Sequence, residues 1–386
     1  MTFSCLLLAI ASLELGEIGD NGPAKLFDRR FGVGPIRVSK DGSQLAIGAH
    51  VLAGPDKDEG DLRVFDLKTG KCIAASKQQG LGFHAAGFSP TGRYVAHGGN
   101  GNRAYIMRVQ DGATYWDLSS SLPDGIVNCV VFSADERYLV SSSSLDANLR
   151  VWDVSGKSLF AAFSYQTDDR FSKGTQGGMV KGAKVVKDIP GTYESFASVA
   201  WTPDSKHLVV GRDIDGIVPI IDIASGREFR KLHSKGHFAE SFCFSREGDW
   251  LLAGGRRNGK FGYVVVYDWK TGKELRTIDG NGTGGHLAIS RDKRRLLASG
   301  VGFSLIDPSN GKILKEYFRN HKVRVNFEDG SSGESDVLCV GLGILSDEKT
   351  FVAGLCNSLT GMEIRFYDLE SGIELSYSAA KDRLNK

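Results

Sequence analysis

The chain is short of the features that most often announce chemistry. Its six cysteines, Cys5, Cys72, Cys129, Cys243, Cys339 and Cys356, are scattered singly, with no Cys-x-x-Cys pair and no Cys/His ligand spacing. That excludes a sequence-signalled zinc site or redox pair and argues against a disulfide framework. Cys72, Cys129, Cys243 and Cys339 fall within or beside apolar strand patterns, where a free thiol behaves as a small hydrophobe. The eight histidines form no His-x-His or His-x-x-x-His pair, and no Gly-x-Ser-x-Gly elbow occurs. Neither a metal motif nor an activated serine is signalled, and no cofactor is expected. His84, His97, His237 and His286 lie at strand ends and read as structural hydrogen-bonding groups.

Charge of one sign is lacking too. A net charge of +2 with 24% charged residues offers no basic field for nucleic acid. No apolar run approaches the ~20 residues of a membrane-spanning helix. Cys5–Ala11 is apolar and ends in a small-x-small triplet, but no Lys or Arg precedes it. It therefore reads as a plain terminus more than as an export signal. The compartment stays open, with the cytoplasm favoured.

Glycine is abundant instead, 49 of 386 residues against a usual ~7%, and much of it punctuates a recurring phrase. Phe242–Leu275 shows the phrase whole. Short apolar strands, Phe242–Phe244, Trp250–Ala253 and Tyr263–Tyr267, are separated by Ser245-Arg-Glu-Gly248 and the pair Gly254-Gly255. Asp268-Trp-Lys-Thr-Gly272 closes the third, and a fourth begins at Lys273. The runs are β-branched, aromatic and too short for helices. The first turn recurs at Ser39, Ser89, Ser133, Thr202, Ser290 and Ser346, the last copy reading Ser346-Asp-Glu-Lys349. The glycines closing the third strands are Gly70, Gly112, Gly156, Gly226, Gly272, Gly311 and Gly372, spaced 42, 44, 70, 46, 39 and 61 residues apart. Four intervals sit near the ~40–45 residues of a four-stranded propeller blade, and the others carry insertions of roughly 25 and 15 residues. The predicted fold is all-β: a seven-bladed β-propeller of four-stranded antiparallel blades, each burying its faces against its neighbours.

These turns, with Leu149-Arg-Val-Trp-Asp153 and its variants Phe65-Asp66, Tyr267-Asp268 and Tyr367-Asp368, resemble the WD-repeat family over about residues 24–378. The family's Gly-His pair appears only as Gly236-His237 and Gly285-His286, and neither of those blades ends its third strand in Trp. The resemblance therefore implies a divergent member whose His–Asp–Ser–Trp hydrogen-bond network is absent or incomplete. Trp152 is expected to pack between blades with its N–H bonded. Quinone-cofactor propellers also use Thr-Gly-Lys turns but place a Trp soon after the glycine, and no Trp follows Gly70, Gly272 or Gly311 in that way.

The predicted organisation is a tail over 1–23, a propeller over 24–378 and a tail over 379–386. Two segments compete for the outer strand of blade seven, Ala24–Phe27 and Gly372–Tyr377. The second is favoured, because it follows blade seven through a local hairpin and needs no long-range closure.

In a WD-type propeller the long insertions would share one face: His50–Asp61, Gln166–Ser195, Arg256–Phe261 and Phe318–Asp336. Loops this long without regular structure are usually functional or disordered. Gln166–Ser195 spaces Gly177 and Gly182 like a phosphate-binding loop. Ala183 and Lys184 hold the Lys and Ser/Thr positions and no helix pattern follows, so nucleotide binding is not expected. Asp56, Asp58, Glu59 and Asp61 resemble a calcium loop in composition alone. Basic and aromatic residues on this face, Arg170, Lys173, Lys181, Lys184, Arg256, Arg257, Phe261, Arg319, His321, Lys322 and Arg324, are the candidate partner-binding set. The resemblance implies a monomeric, non-catalytic scaffold that binds another protein or peptide, an acidic one among the candidates, with no nucleic acid and no membrane span. The competing readings are a propeller hydrolase or lyase with residues converging on the central channel, and an anion- or glycan-binding propeller.

Overall fold

The computed structural model describes residues 18, 24–25, 31–51, 59–79, 83–100, 103–118, 126–143, 148–164, 184–186, 198–211, 216–233, 237–257, 261–279, 285–300, 302–318, 322–326, 332–357 and 361–386. Seven antiparallel meanders follow one another, each with its strands hydrogen-bonded in chain order. Their first strands are Phe31–Val38, Phe83–Phe88, Val127–Phe132, Ser198–Trp201, His237–Phe244, Leu287–Ile289 and Leu338–Ile344. Each first strand touches the first strand of the next blade, and that of blade seven touches that of blade one. The ring is closed: a seven-bladed β-propeller around an axial channel.

The second strands show why the blades must associate. Leu45 and Ile47 in blade one turn toward blade seven, whereas Ala46 turns toward blade two. Likewise Leu251 and Ala253 pack on blade four and Leu252 on blade six. Alternate residues of a strand project to opposite faces, so a run that is apolar throughout needs a neighbour on each side. The outcome is seven apolar wedges, one between every adjacent pair of blades. Space between inner strands is short: a Cβ on Gly87 would lie 2.6 Å from the Val130 carbonyl oxygen of blade three.

The first turn is built the same way seven times. In six blades a Ser or Thr side-chain oxygen accepts the N–H five residues on, as in Ser39 to Gln44 (2.9 Å) and Ser133 to Tyr138 (2.9 Å). The fourth turn residue has φ between 53° and 73°, a left-handed region that Gly enters freely and other residues rarely. That marker corrects two alignments. In blade seven the left-handed residue is Glu348, so the phrase is Leu345-Ser-Asp-Glu348, one residue earlier than Ser346–Lys349. Leu345 takes the cap position with its N–H on the Thr350 carbonyl (2.9 Å), and Asp347 receives the Thr350 hydroxyl (2.6 Å). In blade three the left-handed residue after the third strand is Lys157 (φ 48°), not Gly156.

Trp152 meets its expectation. Its side chain is buried between blades two and three, edge-on to Trp116 at 5.9 Å, and its Nε1–H donates to Ser141 Oγ at 2.9 Å. The Ser–Trp half of the family's network is therefore present in this blade.

Ring closure departs from the choice of one terminus over the other. Glu374–Leu375 and Ala24–Lys25 both pair with the third strand of blade seven, Gly361–Asp368. Leu375 lies opposite Phe366, and Ala24 lies opposite Ile364. The C-terminal strand is only two residues long, which leaves the far end of the same edge open to the N-terminal segment. The chain then turns into a helix, Tyr377–Leu384, capped by Ser376, whose hydroxyl accepts the Ala379 N–H (3.2 Å). This helix straddles the seam. Tyr377 Oη donates to the Leu67 carbonyl of blade one (2.9 Å), and Arg383 Nη1 meets Asp368 of blade seven (2.6 Å). Ala380 and Leu384 are buried beneath it, and Ile18 joins the same cluster.

Candidate recognition face and channel

Strand order divides the disc into two faces. Turns between second and third strands, and links from one blade to the next, lie at one end of every blade; the other turns lie opposite. All four insertions fall on the first end, here called the insertion face. They carry more regular structure than the reading of long loops supposed. In blade one the second and third strands stay paired out to Val51 and Glu59, and in blade five out to Arg257 and Phe261. Between blades six and seven, Lys322–Asn326 and Ser332–Asp336 form a separate antiparallel hairpin. After blade three, Lys184–Val186 adds a parallel fifth strand, with Lys184 opposite Ala161. Backbone pairing extends wherever two chain segments leave a blade side by side, because each added pair satisfies N–H and C=O groups.

The candidate residues divide accordingly. Arg256, Arg257 and Phe261 are held by the blade-five hairpin, with Arg257 paired to both Phe261 and His237. Lys322 and Arg324 stand on the separate hairpin, opposite Asp336 and Glu334. Lys322 is exposed and reaches Glu334 at 3.9 Å, so its charge is partly matched. Arg170, Lys173, Lys181, Arg319 and His321 lie outside the described residues, as do Gly177 and Gly182 of the phosphate-loop-like spacing. Among the described residues, no group of three or more His, Cys, Asp or Glu side chains is placed to hold a metal ion, and no helix is long and apolar enough to cross a membrane.

The opposite face bears a groove of about 1440 Å³ bounded by Arg291, Arg295, Glu348, Glu370 and Arg383. Its charges are largely spent on one another: Arg295 meets Glu370 at 2.5 Å, and Arg383 meets Asp368. At the rim between blades six and seven, a cavity of about 610 Å³ is lined by Tyr317, Phe318, Tyr367 and Glu374.

The innermost strand of blade one holds a residue that the sequence reading passed over. Two positions before each first-turn cap, the inner strands carry Gly87, Val131, Ala200, Cys243, Ala288 and Gly343, all small or β-branched. In blade one that position is Arg37. Its side chain is partly exposed, and Nη1 donates to the adjacent Ile36 carbonyl (2.9 Å). Burial pulls its pKa below the ordinary arginine value, with the Cys129 thiol a weaker opposing influence. Burial, and secondarily the Arg37 charge, push His286 down to about 3, so its imidazole is neutral. Burial raises the Cys129 thiol, and it pushes Cys243 up to about 11. The signal that could have found Arg37 is the column itself, since one long cation stands among six short neutral side chains.

Comparison with known proteins adds two findings. Residues 116–153 match the family described as WD domain, G-beta repeat, a segment running from the last strand of blade two through Trp152-Asp153. The chain is also similar to Protein valois of Drosophila melanogaster, 32% identical over 154 residues, which is 32% of this chain and 41% of that protein. The match thus covers less than half of the relative's length.

Proposed function

We propose that this seven-bladed propeller is a divergent member of the WD-repeat family and a non-catalytic scaffold that binds another protein or peptide through its insertion face and channel mouth. The observation that carries this reading is that, among the described residues, the extended hairpins of blades one and five, the hairpin before blade seven and the parallel strand Lys184–Val186 all emerge from the end of the blades where the interblade links lie, while the helix Tyr377–Leu384 docks at the opposite end. A closed ring supplies rigidity, and paired hairpins present side chains with less ordering cost than open loops. The fold alone does not dictate this role.

The basic character of Arg256, Arg257, Arg319 and Arg324 makes an acidic partner the best complement. Reversing these four to Glu is expected to slow association and flatten its salt dependence in surface-captured binding kinetics. The control belongs on the opposite face, at Arg291 and Arg294. Arg294 is 80% exposed with a weak 3.9 Å contact to Asp292, whereas Arg295 is bonded to Glu370 and would perturb structure. Binding that survives the insertion-face reversal but fails in the control places the partner on the other side of the disc.

A further inference from the structure

We infer that the rim cavity between blades six and seven binds one large, uncharged apolar side chain of a partner peptide, and that the Tyr367 hydroxyl donates to a backbone carbonyl of that peptide. The site adds to the insertion face; it deepens the scaffold reading and rests on it.

The cavity lies where one repeat departs from another. Tyr267 and Tyr367 each stand just before the Asp that ends a third strand, and both are buried. In blade five the Tyr267 hydroxyl donates to the His233 carbonyl (3.1 Å), at the end of the outer strand of blade four. His233 is the seventh residue after Gly226, and its counterpart in blade six is Phe318, the seventh after Gly311. Strand pairing gives the same match: Leu232 lies opposite Val218, and Tyr317 lies opposite Phe303. Phe318 does not continue the strand. The outer strand of blade six ends at Tyr317, and Phe318 has φ 56°, a left-handed conformation that is an outlier for a bulky residue. The chain leaves blade six here for the insertion, and the carbonyl that corresponds to that of His233 is carried off the strand line. Tyr367 Oη is buried and, among the described residues, has no hydrogen-bond partner.

Three independent features therefore meet at one place: a cavity, an unpaired buried hydroxyl on its wall and a strained residue at its edge. A buried polar group without a partner is costly, and backbone strain of this kind clusters at ligand sites. The volume of about 610 Å³ falls within the roughly 300–1,000 Å³ of ligand pockets. Tyr317, on the same wall, has spent its proton on the Gly372 carbonyl (2.7 Å), which also receives Lys315 Nζ (2.7 Å). Tyr367 is the phenol left to a ligand.

The lining selects the ligand. The rings of Tyr317 and Tyr367 stand 5.1 Å apart, and half-buried Phe318 lies beside them with Arg365 over its ring at 5.1 Å. These aromatic walls suit a large apolar side chain. The charges around it cancel: Lys315 lies beside Glu316, and Glu374 is bonded to Arg365 (3.2 Å). No net charge is offered to an ion. In blade five the acceptor for the equivalent hydroxyl is a backbone carbonyl. A peptide laid along the rim brings that same group to Tyr367, with a neighbouring side chain to fill the apolar space.

The test is selection from a random peptide library on the intact protein, with Kd measured on the parent, on Tyr367→Phe and on the insertion-face reversal. Selected peptides are expected to include a class anchored by one Leu, Met, Phe or Trp. These should bind Tyr367→Phe about 3- to 10-fold more weakly, the range for one neutral hydrogen bond. A thioamide scan of such a peptide, sulfur being the weaker acceptor, should find one backbone position that costs affinity on the parent and not on Tyr367→Phe. Urea unfolding gives a second reading without any peptide. Tyr367→Phe should leave the midpoint unchanged or raise it, since it removes an unpaired group, whereas Tyr267→Phe should lower it. Equal losses in the two variants would show that the Tyr367 hydroxyl is bonded within the protein, which overturns the proposal. So would peptides whose dependence on Tyr367 runs through an Asp, Glu, Lys or Arg anchor. Peptides that depend on the insertion-face arginines but not on Tyr367 would sink the rim site and leave the scaffold reading standing. Failure to select any peptide would remove both.

Discussion

Trp152 and Leu345 show two ways in which a single residue secures a repeat. Trp152 combines a large apolar body buried between blades with an N–H that reaches Ser141. Its replacement by Ala is expected to cost roughly 3–5 kcal/mol. Phe should cost less, but it leaves the Ser141 hydroxyl without its donor. Urea unfolding of the two variants checks both values, and a Trp152→Ala protein close to the parent would contradict the packing assignment. Leu345 is the opposite case. A repair guided by the other six copies would install Ser there. Leu345 is 1% exposed in the wedge between blades seven and one, and its burial contributes roughly 1.5–3 kcal/mol. The hydrogen bond a Ser would add is worth about 0.5–1.5 kcal/mol. Leu345→Ser should therefore destabilise, measurable as a lower urea midpoint at unchanged slope. Trp152 was legible because its type and position coincide with a family mark. Leu345 and Lys157 were not, since the nearest Ser346 and Gly156 are the residues a pattern reader chooses, and only φ exposes the one-residue slip.

The C-terminal helix is the element that local patterns concealed. Eight residues with a modest apolar stripe resemble a tail, and their stability comes from docking rather than from propensity. Part of that docking titrates. Burial of Asp368 opposes ionisation, but bonds from the Ser371 hydroxyl and N–H, with the Arg383 guanidinium, outweigh it and hold the carboxyl at about 2. The unfolded value is 3.8, so the group favours the folded state above that pH. The contribution fades as pH falls from about 4 toward 2. Arg383→Met should lower the melting temperature at neutral pH, and the gap from the parent should narrow across that acid window. A gap that stays constant down to pH 2 would show that Arg383 acts through packing alone. The strands were far easier to read than this helix, because apolar alternation and turn residues repeat seven times. The hairpin extensions were half-legible: their positions followed from the repeat lengths, their pairing did not, because Arg256, Arg257 and Lys322 carry no strand signature.

At the scale of the molecule the core is divided, with seven wedges in place of one centre, and the blade count could be read directly from the repeat. The arginine on the first inner strand could not, since Arg37 stands within an apolar run that no turn or loop signal marks. The closing seam carries its own consequence. Ala24 pairs with Ile364, about 340 positions later, and the helix that bridges blades one and seven follows at Tyr377–Leu384. At about 5–20 residues per second, a ribosome takes roughly 20–70 seconds to pass from one side of the seam to the other. Through that interval the first blade has no seventh to cover Leu45 and Ile47. Nascent chains arrested before residue 361 should thus remain open to protease at blade one, and chains extended past residue 386 should not. Birth of this protein is a race between completing the circle and losing the exposed first blade to chaperones or proteases, and residues 361–386 decide it.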